Sequence, residues 1–298
     1  MFQNYKIKDD FDNTRLDKWF KNQIINIPQA LFEKLIRKNQ IKVNGKKTKS
    51  SYRIKKGDLI EIHNIKNIKP RTEEQKRILY KSSKKERKVY DEFIIEDNEN
   101  FLVLNKPNGI PVQSGTKSFK NIIDIIKDTK YFNNSKPYIV HRIDKETSGL
   151  LIIAKNRKYA QLFTTLFRIR KIHKTYLSIV NGRVNSQIKK LENELIIYEN
   201  KRKISQNAIT KLKIIKTNDN YSLLELNPIT GRKHQLRKQL SIIDNPIIGD
   251  DKYNFKKTFY RLPLMLHAYK IKFMINGIKY NFKAKYNEKF EKFIKKNF

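Results

Sequence analysis

The stretch His141-Arg142-Ile143-Asp144-Lys145-Glu146-Thr147-Ser148-Gly149 runs directly into Leu150-Leu151-Ile152-Ile153-Ala154. The second half is an unbroken apolar run of strand length, the pattern of a strand buried on both faces. The first half places a histidine, an arginine and a carboxylate at the entry to that strand, and Gly149 lets the backbone turn tightly there. A polar turn capped by Asp144 accounts for these residues without chemistry. A carboxylate presented at a strand end accounts for them with it.

Outward from this strand, Phe101-Leu102-Val103-Leu104 forms another short apolar run, stopped by Asn105-Lys106-Pro107-Asn108-Gly109. Thr175–Val180, Ala208–Ile215, Tyr221–Leu226 and Ile271–Ile275 also have strand character. Tyr159, Leu162, Phe163, Leu166 and Phe167 share one helix face, with Asn156 as the cap. A last helix is expected around Glu288–Ile294. Successive strands with few crossover helices predict an α+β domain over 93–298, its sheet mixed, mainly antiparallel and flanked by helices.

The front of the chain has a different pattern. Leu16, Trp19 and Phe20 have helical spacing behind a cap at Asp12 or Thr14. Pro28 opens a second helix at its first turn, with Leu31, Leu35 and Ile36 on its apolar face. Ile41-Lys42-Val43 then alternates into an Asn44-Gly45 turn, and Asp58–Ile62 returns as a strand after Lys56-Gly57. The reading for 1–63 is a small helix–helix–hairpin module. Residues 64–92 have dense charge and poor periodicity and read as a basic linker, with one helical turn near Glu74–Leu79.

Composition narrows the function. The 298 residues suit about two domains. At 38% hydrophobic and 11% aromatic the chain can build packed cores. It lacks an apolar run of spanning length and a signal-peptide pattern. The absence of cysteine removes disulfides, thiol nucleophiles and thiolate metal sites, and fits a reducing cytoplasm. No two of the five histidines have the spacing of a local zinc pair. The 66 basic residues against 29 acidic give a net charge of +37, spread over both parts of the chain. Such a charge calls for a polyanion, nucleic acid first and an anionic membrane surface second. A membrane-surface binder would need a strong basic amphipathic helix, which the chain lacks.

At the motif level the chain resembles the RluA-type pseudouridine synthases. HRIDKETSGLLIIAK is similar to the family's signature, and VLNKPNGIPVQSG at 103–115 to its first motif. KTYLSIVNG at 174–182, ITGRKHQLRKQL at 229–240, NPIIGDDKY at 245–253 and LMLHAYKIKF at 264–273 follow in the family's order. TRLDKWF with LIRKNQIKVNGKK at the front resembles an S4 RNA-binding domain.

The resemblance implies an isomerase acting on RNA uridines, with 23S ribosomal RNA as the implied substrate. It implies no metal and no organic cofactor, a cytoplasmic location and a monomer. It makes Asp144 the catalytic carboxylate, serving either as a nucleophile or as a general base at the ribose 2′ carbon. Arg237 is the implied cationic partner of Asp144; its other reading is a helix-surface arginine. Tyr176 is the implied stacking tyrosine; its other reading is an ordinary strand residue. Arg142 is implied to take the place of the extruded base. His141, Thr230, Gly231, Arg232, His234 and Gln235 are expected to support the site, and Lys106 and Pro107 to shape the pocket wall. Arg37, Lys38, Lys42, Lys46 and Lys47 are the expected RNA contacts of the front module; their other reading is a solvated face. The competing functions are a synthase acting on a different rRNA or tRNA uridine and a non-catalytic ribosome-assembly factor that keeps the enzyme scaffold.

Overall fold

The computed structural model describes residues 2–63, 82–113, 120–133, 135–199, 202–254 and 262–298. The chain divides into two compact units, Met1–Arg77 and Ile78–Phe298.

In the first unit, β1 (Phe2–Lys6) and β2 (Thr14–Arg15) precede the helices α1 (Leu16–Gln23) and α2 (Gln29–Arg37), and β3 (Ile41–Val43), β4 (Arg53–Ile54) and β5 (Leu59–His63) follow. The sheet order is β1-β5-β3, with β2 and β4 paired separately. Leu16, Phe20, Phe32 and Ile36 from the helices meet Ile41, Ile60 and Ile62 from the strands in one core. Burying a side chain of this size contributes about 1.5–3 kcal/mol, which is how so small a module holds together. The expected cap of α1 is not formed. Thr14 lies in β2, and the Asp12 carboxylate accepts a bond from the Lys56 amide at 2.9 Å. The Asn44-Gly45 turn is present, with both residues at positive φ, but it returns the chain only to Lys46. The strand paired with β3 is the later β5.

The second unit starts earlier than the sequence suggests. Lys84–Asp91, read as linker, is a helix, α3, capped by the Ser83 hydroxyl. Arg87 donates to the Asp128 carbonyl, and Ser82 to that of Ile125. The helical turn expected near Glu74–Leu79 falls outside the described residues. After α3 come β6 (Ile94–Asp97), β7 (Phe101–Lys106), α4 (Ile122–Ile126), β8 (Tyr138–Ile139), β9 (Ser148–Ala154) and α5 (Arg157–Arg168). Then follow β10 (His173–Asn181), β11 (Lys190–Glu199), β12 (Arg202–Thr217), β13 (Tyr221–Pro228), α6 (Gln235–Ile242), β14 (Leu266–Ile275), β15 (Ile278–Lys283) and α7 (Glu288–Asn297).

The main sheet runs β11-β12-β13-β10-β14-β9-β7-β6, with β15 on β14 and β8 on β9. Every ladder in it is antiparallel except β14 with β9. The fold is therefore α+β with a mixed, mainly antiparallel sheet. The predicted strand Leu150–Ala154 is buried along its whole length. Its alternate residues enter two cores, one containing Phe163 of α5 and the other Ile122 and Ile125 of α4.

The parallel seam between β14 and β9 positions the site. Ser148 and Gly149 pair with His267 and Ala268. Gly149 has φ +109, and a Cβ built there would lie 2.4 Å from the Ala268 carbonyl oxygen. Only glycine fits, so the loop ending at Gly149 is held against β14 and hence beside β10, where Tyr176 pairs with Ala268. His267 completes the seam. Its Nδ1 lies 2.9 Å from the Ser148 hydroxyl and its Nε2 3.2 Å from the Ala284 carbonyl. A carbonyl can only accept, so Nε2 carries the proton and the hydroxyl donates to Nδ1.

Candidate active site

The loop 140–147 and the turn 228–234 face each other across a pocket of about 790 Å³. Asp144, Tyr176, Arg142, His141, Lys174 and His234 all line it. Residues separated by almost one hundred positions thus converge at the end of β9 and one edge of β10.

The Asp144 loop is fixed from behind. The Gly109 amide donates to the Lys145 carbonyl at 3.0 Å. Fully buried Lys106 donates from Nζ to the carbonyls of Pro107, Ile110 and Lys145 at 2.8, 2.9 and 3.0 Å. Burial brings the Lys106 ammonium down to about 7, against the opposing charges of Glu146 and Asp144. Lys106 and Pro107 are not on the pocket wall, in contrast to the expectation from the motif. Lys106 braces the loop from within the domain.

His141 has a similar supporting place. Its Nε2 accepts the Ile152 amide at 2.9 Å, and its ring lies on Phe167 at 4.6 Å between centroids. Burial, then the charge of Lys174, pushes the imidazole down to about 3, so it is neutral at ordinary pH. Arg142 beside it is exposed at the rim. The Tyr176 phenol is pushed well above its usual range by burial and then by the Asp144 charge. It stays protonated and presents an uncharged ring to the pocket.

The expected Arg237–Asp144 ion pair is not what the structure contains. Arg237 is buried on α6, and its fork is taken by Asp250, with Nε–Oδ2 at 2.8 Å and Nη2–Oδ1 at 2.7 Å. Asp251 adds a contact at 3.3 Å. Burial opposes the Asp250 charge, but the fork and the Tyr253 and Lys252 amides outweigh it and hold the carboxyl below its usual range. The reason is local. The 250–253 turn folds under α6 and supplies a carboxylate that is itself wholly buried and would otherwise be unpaired.

The cationic candidate nearest to Asp144 is instead His234, with Nε2 3.8 Å from Asp144 Oδ1. His234 caps α6 in a left-handed conformation, φ 55 and ψ 31. Its Nδ1 lies 2.9 Å from the Tyr253 hydroxyl, and Arg237 sits over the Tyr253 ring at 5.2 Å. Burial holds the imidazole below its usual range, against the Asp144 charge. Arg237 makes no ion pair with Asp144 but feels its charge through space, and it also meets the turn that presents Tyr253 to His234. Asp250 and Tyr253 were missed as site residues, although both lie in the GDDKY run; nothing in their spacing marks the first as a buried partner.

Thr230 and Gln235 form a buried network. The Thr230 hydroxyl accepts the Ile209 amide at 2.8 Å and donates to Gln235 Oε1 at 2.7 Å, which also accepts the Arg232 amide at 3.0 Å. Gln235 Nε2 donates to Thr210 Oγ1. This pins the turn to β12. Arg232 donates to the Asn207 carbonyl, and Gly231 approaches Lys174 Nζ. In the first unit, Arg37, Lys38, Lys46 and Lys47 are exposed and Lys42 is half-buried. Among the described residues, no group of three His, Asp or Glu side chains is arranged to hold a metal ion. None of the described helices is long and apolar enough to cross a membrane.

Residues 100–242 match the family model for RNA pseudouridylate synthase, and residues 14–60 that for the S4 domain. A ribosomal large subunit pseudouridine synthase C of Rickettsia felis is 35% identical over 269 residues, 86% of this chain and 87% of that protein. The chain belongs to the RNA pseudouridylate synthase family. A Vibrio parahaemolyticus protein of the same name is 31% identical over 280 residues, covering 90% of this chain and 87% of its own. The human RNA pseudouridylate synthase domain containing 4 has a solved structure similar to this one. Its TM-score is 0.59 at 26% identity, over 69% of this chain and 92% of that one. The present chain is thus an RNA pseudouridine synthase with an S4 domain at its front.

Proposed function

We propose that this synthase isomerises uridines of large-subunit ribosomal RNA, acting in the cytoplasm as a monomer, with Asp144 as the catalytic carboxylate. The observation that carries the reading is the convergence of Asp144, the protonated Tyr176 and the neutral His234 on one pocket with a basic rim. The relatives named as large subunit synthases support the substrate class.

The reaction breaks the C1′–N1 bond, turns the base and forms C1′–C5; the C5 proton leaves and N1 gains one. Arg142 at the rim fills the place of the base drawn out of its stack. The Tyr176 ring stacks on the base inside. Asp144 attacks as a nucleophile or removes the ribose 2′ proton, and both routes need its anion. The Tyr253 hydroxyl donates to His234 Nδ1, so that Nε2–H faces Asp144 and favours that anion. Arg237 is a positioning residue that holds Tyr253. Thr230, Gly231, Arg232 and Gln235 support the turn, and His141 supports the Asp144 loop. The exposed Arg37, Lys38, Lys46 and Lys47, with Lys42, grip phosphates.

The test is release of tritium from large-subunit RNA made with [5-³H]uridine. The wild-type protein releases tritium, and Asp144→Asn binds the RNA but releases none. Release by the variant at the wild-type rate would remove Asp144 from the chemistry. RNA binding by the wild type with no release would favour an assembly factor.

A further inference from the structure

The sheet of the second unit has a face that the site does not use. Thr175 and Tyr176 are neighbours on β10, so their side chains leave opposite faces. Tyr176 lines the catalytic pocket; Thr175 marks the other side. Directly opposed residues of antiparallel strands share a face, which allows this side to be followed across five strands. Thr175 opposes Lys270 on β14, and His173 opposes Lys272. Lys270 opposes Lys283 on β15, and Met274 opposes Lys279. In the other direction the Thr175 hydroxyl donates to Asn227 of β13 at 3.0 Å. Asn227 and Glu225 oppose Lys211 and Lys213 of β12.

Lys211, Lys213, Lys272, Lys279 and Lys283 are exposed and Lys270 is half-exposed. On this face of β10 and β12–β15, Glu225 is the single carboxylate among the described residues; further acids appear only on β11, where Glu192 pairs with Lys190. Two lysines placed directly opposite each other, with a third two residues along, destabilise a sheet. Desolvation, then Lys272 and Lys283, hold the Lys270 ammonium below its ordinary value. A merely solvated face has no use for such a juxtaposition, whereas a polyanion relieves it by neutralising the group together. Asn281, opposite Lys272, joins Thr175 and Asn227 as hydrogen-bonding residues of this face, beside the exposed Met274, as suits phosphate and sugar contacts.

We propose that this lysine ladder of the catalytic domain is a second RNA surface, on the sheet face away from the catalytic pocket, that takes the phosphate backbone of another arm of the same large RNA. It rests on the reading of a large RNA as substrate. Neutralised phosphates release counterions, so each one engaged adds to the salt dependence of binding.

The experiment compares the full-length wild type with K270Q/K272Q/K283Q and K270R/K272R/K283R. Binding to full-length large-subunit RNA and to phosphatidylserine vesicles is measured over a salt series, and turnover of the same RNA at saturation is measured alongside. The glutamine variant should lower the slope of log K against log salt by roughly two to three. The arginine variant should keep the slope, and both should turn over within about twofold of wild type. An unchanged slope in the glutamine variant overturns the proposal. So does a weakening shared by the arginine variant, which would make the lysines structural, or one confined to phosphatidylserine vesicles, which would make the face a lipid-binding surface. A wild type that binds RNA with this slope but forms no pseudouridine would sink the proposed activity and leave the ladder standing.

Discussion

At the scale of single residues, the arrangement replaces a direct Arg237–Asp144 pair with a relay. Arg237 holds Asp250, the turn holds Tyr253, and Tyr253 orients His234 towards Asp144. Arg237→Leu leaves the buried Asp250 carboxylate unpaired and should cost about 3–5 kcal/mol of stability, seen as a lower denaturant midpoint together with slower turnover. Tyr253→Phe is the cleaner probe, since it keeps the ring under Arg237 and removes only the hydroxyl. A hydrogen bond of about 0.5–1.5 kcal/mol corresponds to a kcat roughly 2- to 13-fold lower with RNA affinity and KM unchanged. A change confined to affinity would place Tyr253 on the RNA instead. This relay was not legible in the sequence. The GRKHQLRKQL run placed Arg237, His234 and Gln235 near one another on a helix, but which carboxylate an arginine meets is decided by a turn thirteen residues later. Asp144 and Tyr176 are singled out by the family motifs alone; the apolar runs predict only the strands Leu150–Ala154 and Thr175–Val180 beside or around them.

At the scale of elements, the parallel seam between β9 and β14 brings the Asp144 loop to Tyr176. Gly149→Ala puts a methyl group into the Ala268 backbone at a positive φ and should destabilise the domain by at least about 2 kcal/mol; a variant as stable and active as wild type would show that the seam is not needed. The buried histidines make a second prediction. Burial lowers His141 to about 3 and His267 to about 4, from an ordinary 6.5. Between about pH 4 and 6.5 the unfolded chain therefore binds protons that the folded chain does not, and stability falls as the pH falls. Each histidine contributes a slope of about 1.4 kcal/mol per pH unit in that window. Denaturant melts of wild type and His267→Gln across this range should differ by about one such slope; parallel curves would contradict the assignment. Most strands were readable from apolar runs, including Phe101–Leu104 and Leu150–Ala154. The strands β11 and β15 were not, because Lys190–Glu199 and Ile278–Lys283 carry many polar residues and lack a continuous apolar run. Helix α3 was hidden for a related reason: KKERKVYD has few apolar residues, and a serine cap with tertiary contacts fixes it.

At the scale of the whole molecule, a net charge of +37 is divided between an S4 domain and a catalytic domain that each present lysines and arginines. Replacing Arg37, Lys38, Lys46 and Lys47 together by glutamine should lower the salt slope of RNA binding by roughly one unit for each phosphate no longer neutralised, and leave turnover at saturating RNA nearly intact. An unchanged slope would mean that these four residues are only solvated. The central claim is that Asp144 carries out uridine isomerisation in large-subunit ribosomal RNA. Pseudouridine mapping of ribosomal RNA tests it most directly, in cells that lack the protein and are supplied with either the wild type or Asp144→Asn. The account predicts that defined large-subunit positions are pseudouridine with the wild type and uridine with the variant. The same positions modified equally by both proteins would contradict it.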